Sequence, residues 1–166
     1  MTHRAVLVVA WFAIVLVPVF AQSTQSPTAL YSQGRQAQQA SDNFKAIELY
    51  KSALQMNPAY VEPMIGLAET YFALGDYQEA LSFATAAQQY DQSNMSILDL
   101  EGRALIGLGD FTRAKSLFDQ VLASQPNNMG AQFGLAEIKV ATGEPLSAAA
   151  DFQNALSISP SEYQRR

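Results

Sequence analysis

The sequence predicts an all-α fold, an α-solenoid of four helix-turn-helix repeats behind an N-terminal leader. Three columns of residues recur in step every 34 positions. One column of small residues holds Ala46, Ala80, Ala114 and Ala148. A turn column holds Ser41, Gly75, Gly109 and Gly143. A column near the end of each unit holds Pro58, Gln92, Pro126 and Pro160. Self-similarity at a fixed period of this length is the signature of stacked repeats.

Residues 1–21 have the pattern of a signal peptide. A short basic start, MTHR, precedes a continuous apolar run over 5–17, and Val19 and Ala21 are the third-last and last residues before a cleavage point after Ala21. The alternative is an uncleaved anchor, because the apolar stretch from Ala5 to Ala21 is at the lower limit for a membrane-spanning helix. We expect cleavage and export, to the periplasm of a bacterium, with residues 22–26 as a polar linker. Membrane contact is then expected only through an uncleaved N-terminal segment.

Composition argues against catalysis. The chain has no cysteine, and its single histidine, His3, lies in the leader. A mature chain without these residues lacks the commonest metal ligands and the usual general base near neutral pH. Carboxylates remain, but Asp99 and Glu101 are two residues apart and diverge on a helix. We therefore expect a protein that is not an enzyme and that binds no metal and no cofactor.

The charge balance argues against nucleic acid as a partner. The 166 residues include 15 acidic and 10 basic side chains, which gives a formal net charge of −5. Such a chain repels backbone phosphates unless its basic residues cluster, and here they are scattered.

Each 34-residue unit reads as two helices. In the second unit, Met64, Leu67 and Tyr71 share one helical face before the break at Gly75, and Ala80 and the residues after it form a second face. Small residues in fixed columns mark places where two helix backbones approach closely. Proline near the end of a unit is expected to stop the second helix. The predicted repeats are 27–60, 61–94, 95–128 and 129–162, and residues 163–166 form a tail.

This pattern resembles the tetratricopeptide repeat family. Ala114, Phe118 and Pro126 fit the small, aromatic and proline positions of its repeat, whereas Gln92 and Pro145 depart from it. Proline costs little in the first turn of a helix, so Pro145 need not break its unit. The resemblance implies a right-handed solenoid whose first helices line a concave groove. It also implies that this groove binds an extended peptide or a helix of a partner protein.

The family's groove positions predict the binding residues. They are Tyr31, Arg35, Ile65, Glu69, Phe72, Asp99, Arg103, Ile106, Phe133, Glu137 and Val140, and the same positions also include Gln38 and Glu62. An alternative is that the apolar members are ordinary core residues. A second alternative concerns Arg35, Glu69, Arg103 and Glu137, whose charges alternate along the stack: we expect them to pair with one another in a ladder between units. Tyr31 and Arg35 do not match the clamp for a carboxylate-ending peptide, so a partner segment with hydrophobic anchors is expected.

The sequence therefore leaves two alternative functions. The first is an exported, non-catalytic interaction scaffold of envelope assembly or secretion machinery. The second is a structural protein that associates with itself, because the last repeat is expected to leave Phe152, Ala155 and Leu156 partly open as a homodimer edge.

Overall fold

Eight α-helices follow one another in pairs in the computed structural model, which describes residues 25–158. They are α1 Pro27–Gln39, α2 Asn43–Met56, α3 Val61–Ala73, α4 Tyr77–Gln88, α5 Met95–Gly107, α6 Phe111–Ser124, α7 Met129–Ala141 and α8 Pro145–Ile158. The first helices of the pairs begin at residues 27, 61, 95 and 129, again 34 apart. The all-α prediction is confirmed over this range, which contains no strand.

Several predictions fall outside the described range. They concern the signal peptide over 1–21, most of the linker over 22–26, the tail over 163–166 and the side chain of Ala155. Within residues 25–158, no helix has the length and apolar character needed to cross a bilayer.

The same turn closes every pair of helices. Gly75 has φ 79°, in the left-handed region, and its counterparts in the turn column have φ between 60° and 90°. The Asp76 amide then donates to the carbonyl of Tyr71 at 2.9 Å, a bond that caps the end of α3. The Asp76 side chain accepts from the amide of Glu79 and so caps the start of α4. Asp42 and Asp110 cap α2 and α6 in the same way, so the period is built into local backbone chemistry.

Proline is not what ends the second helix in every unit. Helices α2 and α6 end two residues before Pro58 and Pro126, as expected. Helix α4 has Gln92 at the equivalent position, yet it ends earlier, at Gln88, and the Asp91 amide continues to bond the Ala87 carbonyl beyond it. The expectation for Pro145 is met, because α8 begins at this residue.

Two large aromatic rings are wedged between glycines of successive first helices. Tyr50 of α2 is fully buried, and a Cβ placed on Gly34 of α1 would lie 2.5 Å from its Cε1 atom. A Cβ on Gly66 of α3 would lie 2.6 Å from its Cζ atom. These distances are too short for real carbon contacts, so the ring takes space that only glycine leaves free.

Phe118 of α6 repeats this arrangement two repeats later in the stack. It is fully buried, and its ring would collide with a Cβ on Gly102 of α5 or on Gly134 of α7. The second pair fills the equivalent space with different residues. Ala84 stands in place of the ring, and it packs with Ala68 and Leu100, which stand in place of the two glycines. Here the first helices on either side contribute side chains larger than that of glycine, and the second helix contributes a small one.

The stack is curved, with the first helices on its inner side. Helices α1 and α3, α3 and α5, and α5 and α7 approach each other closely. Among residues 25–158, no such approach joins α2 to α4, α4 to α6 or α6 to α8. Because the first helices are closer together than the second helices, they line the concave face.

We expect Gly102→Ala to destabilise the protein, because the added methyl group collides with Phe118. Overpacking of this kind costs about 1–3 kcal/mol, whereas the better helix propensity of alanine returns at most about 1 kcal/mol. Urea denaturation of the purified protein measures the free energy of unfolding.

The Phe118→Leu background provides the control. The smaller side chain leaves room for the methyl group, so Gly102→Ala should be neutral or stabilising there. Equal destabilisation in both backgrounds would show that the ring is not the cause.

Candidate binding groove

A polar network joins the first two pairs on the concave face. The Arg35 Nη1 atom lies 3.0 Å from Glu69 Oε2, and the two residues are 34 positions apart. Gln38 donates to the same carboxylate at 3.2 Å, and the hydroxyl of Tyr50 donates to Gln38 Oε1 at 2.9 Å. The network therefore connects the groove surface to the buried ring that fixes the spacing of α1 and α3. The expected pairing of Arg35 with Glu69 is present.

Burial raises the pKa of Tyr50 from 10.0 to about 12. Arg35 opposes this by stabilising the phenolate, and Tyr31 and Glu69 add smaller upward contributions. The neutral phenol is thus the form that this site holds, consistent with its role as a hydrogen-bond donor.

An aromatic surface lies at the N-terminal end of the groove. Tyr31 packs against Tyr60 with ring centroids 5.7 Å apart and against Tyr50 at 6.0 Å. The family positions predict Tyr31 but not Tyr60, which is the residue before α3. The only sequence signal for Tyr60 is an aromatic residue next to the start of a first helix.

The centre of the groove combines an aromatic ring with a cation. The Arg103 guanidinium lies 4.4 Å from the centroid of the Phe72 ring, a cation–π contact between α5 and α3. Arg103 also lies 3.9 Å from Asp99 Oδ2 on its own helix. The charge pairing between units seen for Arg35 and Glu69 is therefore not repeated in the same form here. Arg103, two units after Arg35, lies over the Phe72 ring and close to Asp99 of its own helix.

The C-terminal part of the groove is acidic and apolar. Partial desolvation raises the pKa of the Glu137 carboxyl; Arg103 lowers it, and Asp99 raises it. Arg103 and Asp99, which act on this carboxyl, are both residues of α5. Val140, one turn further along α7, is 51% exposed. Phe133 contacts Phe152 with ring centroids 5.3 Å apart.

Three predicted apolar groove residues belong partly to the core. Ile65 packs against the buried cluster of Met64, Ala87 and Ile97, and Phe72 and Ile106 pack against the cluster around Phe118. All three remain partly exposed. Each of these side chains therefore packs against the core on one side and is exposed on the other.

Phe152 belongs to the predicted homodimer edge. This ring is partly buried because it packs against Phe133 of α7. Leu156 is 46% exposed. Among the described residues, no cluster of three or more acidic, histidine or cysteine side chains is arranged to hold a metal ion.

The raised pKa of Tyr50 predicts an alkaline loss of stability. Between about pH 10 and 12, Tyr50 is ionised in the unfolded chain but still protonated in the folded protein. The unfolded state then binds fewer protons, so the free energy of unfolding falls as the pH rises. Denaturation midpoints measured from pH 8 to 11.5 should fall more steeply for the native sequence than for Tyr50→Phe. Parallel curves would contradict the assignment, since the other tyrosines are common to both proteins.

Comparison with known proteins identifies the fold. Residues 37–100 and residues 100–163 match two models of the tetratricopeptide repeat family. The BBSome complex member BBS4 of Bos taurus is 34% identical over 95 residues, which cover 54% of this chain and 18% of that protein. The TPR repeat-containing protein YpiA of Bacillus subtilis is 27% identical over 100 residues, which cover 60% of this chain and 24% of that protein. The chain thus spans less than a quarter of the length of either relative.

Solved structures share the same architecture. A thermophilic TPR protein of Thermus thermophilus superposes with a TM-score of 0.71 at 24% identity, covering 86% of this chain and 78% of that one. MamA of Desulfovibrio magneticus RS-1 gives 0.73 at 16%, covering 84% and 78%. The first TPR of Spaghetti (RPAP3), bound to the HSP90 peptide SRMEEVD, gives 0.67 at 24%, covering 71% and 94%. With two family models that together span residues 37–163, and with the 34-residue helix pairs described above, the chain belongs to the tetratricopeptide repeat (TPR) family.

Proposed function

We propose that this protein is an exported, non-catalytic scaffold that holds a segment of a partner protein in its concave groove, in envelope assembly or secretion machinery. TPR proteins typically act as protein–protein interaction scaffolds. The observation that carries the proposal is the contact between Arg103 and Phe72, which presents a half-exposed cation and an aromatic ring together on the inner face. Export rests on the leader-like pattern of residues 1–21.

The arrangement of charges favours a partner with apolar anchors over an acidic tail. One structural neighbour is bound to the peptide SRMEEVD, which is rich in carboxylates. In this chain Arg35 is already paired with Glu69, and Arg103 lies beside Asp99. An acidic peptide would have to displace these carboxylates. Apolar side chains of a partner can pack on the exposed parts of Val140 and of the Phe72 ring without breaking a pair.

Absence of catalysis is supported by the composition. The only histidine is His3, and the chain has no cysteine, so nucleophilic and general-base chemistry near neutral pH would have to use other groups. The groove carboxylates Glu69 and Asp99 lie beside arginines, an arrangement suited to ion pairing.

The second candidate function is self-association through the C-terminal pair. Leu146 is 89% exposed and Leu156 46% exposed, both on α8. Two leucines exposed on one helix favour contact with an apolar surface of another copy, and Phe152 on the same helix is only partly buried.

Groove variants should lose the partner. We expect Arg103→Ala and Val140→Ser each to reduce capture of a partner protein from the native envelope by about tenfold or more, because a few contacts carry most of the binding energy of an interface. Affinity purification with quantitative mass spectrometry compares the variants with the native sequence.

Lys115→Ala is the matched control. Lys115 is an exposed cation on α6, a second helix that lies away from the groove, and it pairs with Asp119 on the same helix. A partner whose capture falls equally with Lys115→Ala does not bind in the groove, and a partner retained by both groove variants contradicts the proposal.

Self-association has a separate test. If the C-terminal pair forms a homodimer, light scattering at high protein concentration should give twice the monomer mass, and Leu156→Ser should return it to the monomer mass. A monomer at every concentration eliminates this second function.

A further inference from the structure

Glu101 is a buried carboxylate in a column that otherwise holds leucine in the neighbouring pairs. Thirty-four residues before and after it are Leu67, which is fully buried, and Leu135. Glu101 itself is only 6% exposed. Its Oε1 atom accepts a hydrogen bond of 2.5 Å from the hydroxyl of Thr85 on α4. Its Oε2 atom is buried and has no hydrogen-bond partner within the described residues.

A buried carboxylate oxygen without a donor is unfavourable. Most buried polar atoms of native proteins have a partner, so each exception calls for a specific explanation. Leucine at this position would fill the same place without any polar requirement, as it does in α3 and α7. Within residues 25–158 the fold therefore supplies a donor to one oxygen of this carboxylate and none to the other.

A pocket of about 210 Å³ has Glu101 among its lining residues. Its lining consists of Glu101 and Leu105 from α5 and of Arg113, Ser116, Leu117 and Gln120 from α6. The pocket lies between a first helix and its second helix, and none of its lining residues is among the predicted groove residues. The pocket is open to solvent, and its volume exceeds the roughly 30 Å³ of one water molecule in the liquid, so it has room for a larger polar group.

We propose that this pocket binds a guanidinium group carried on an alkyl stem. The guanidinium supplies N–H donors to Glu101 and matches a carboxylate in shape. Leu105 and Leu117 provide apolar contact for the stem. Arg113 does not occupy this role, because its Nη1 atom lies 3.5 Å from Asp110 and its side chain is 66% exposed. A guanidinium is also more weakly hydrated than an ammonium, so it enters a partly buried site at lower cost.

The outer wall of the pocket consists of side chains that can rotate. Arg113, Ser116 and Gln120 are all exposed on α6. Because the Oε2 atom is buried, a guanidinium reaches it only after side chains around the pocket rearrange. Either the arginine of a partner protein or a free small guanidine could present the group, and both have the same chemistry at Glu101.

The test is an NMR titration of the full chain with n-propylguanidinium. The neutral isostere n-propylurea and the amine n-propylammonium serve as comparison ligands. We expect shift changes at the amides of Thr85, Glu101, Leu105 and Leu117, with n-propylguanidinium binding about tenfold more tightly than n-propylurea, the difference expected for a charge-assisted hydrogen bond. A basic peptide with one arginine, titrated in parallel, distinguishes a side-chain source from a free guanidine according to which binds more tightly.

Two variants complete the experiment. Glu101→Leu, which restores the residue of the neighbouring pairs, should keep the fold, as shown by an unchanged or higher melting temperature, and should weaken guanidinium binding about tenfold or more. Arg113→Gln removes a cation from the rim and should bind the probe at least as tightly as the native sequence. Binding that is unchanged in Glu101→Leu, equal affinity for the urea, or no shifts in this pocket would overturn the proposal.

Discussion

The close approach of successive first helices around a buried ring is the constraint on which the rest of the structure depends. Tyr50 and Phe118 each fill the space between two helix backbones, and glycine is required on both sides. A pair of short helices cannot bury its apolar face alone, so each pair is stable only when the next pair completes this packing. Because the first helices meet and the second helices do not, the stack bends and acquires an inner face.

The groove follows from this packing. Phe72 and Ile106 use one side for the core and keep the other exposed, so the core positions the surface that a partner would contact. The hydrogen bond from Tyr50 to Gln38 likewise links the buried ring to the pair formed by Arg35 and Glu69 on the groove surface. Groove polarity and helix spacing are thus linked through one buried hydroxyl group.

Much of the fold could be predicted from the sequence, because its period is encoded by local chemistry. Gly75 and Asp76 form a turn and a cap wherever they occur together, whatever lies further away. The contact of Arg103 with Phe72 and the burial of Glu101 could not be predicted in this way. Each depends on the relative position of two helices. The neighbouring units are no guide either, because the residue equivalent to Arg103 one unit earlier is Glu69, and the residue equivalent to Glu101 is Leu67. Small residues marked close packing correctly, but only the structure shows which ring each glycine accommodates.

The two packing solutions impose an order on the units. Tyr50 must be followed by a unit with glycine at the position of Gly66, whereas Ala84 is followed by Leu100. A chain that lost residues 61–94 would bring Leu100 against Tyr50, and the two side chains would compete for one space. A chain that lost residues 61–128 would bring Gly134 to the same place and remain compatible. Loss of the second unit alone is therefore resisted by this packing, whereas loss of the second and third units together keeps the junction compatible.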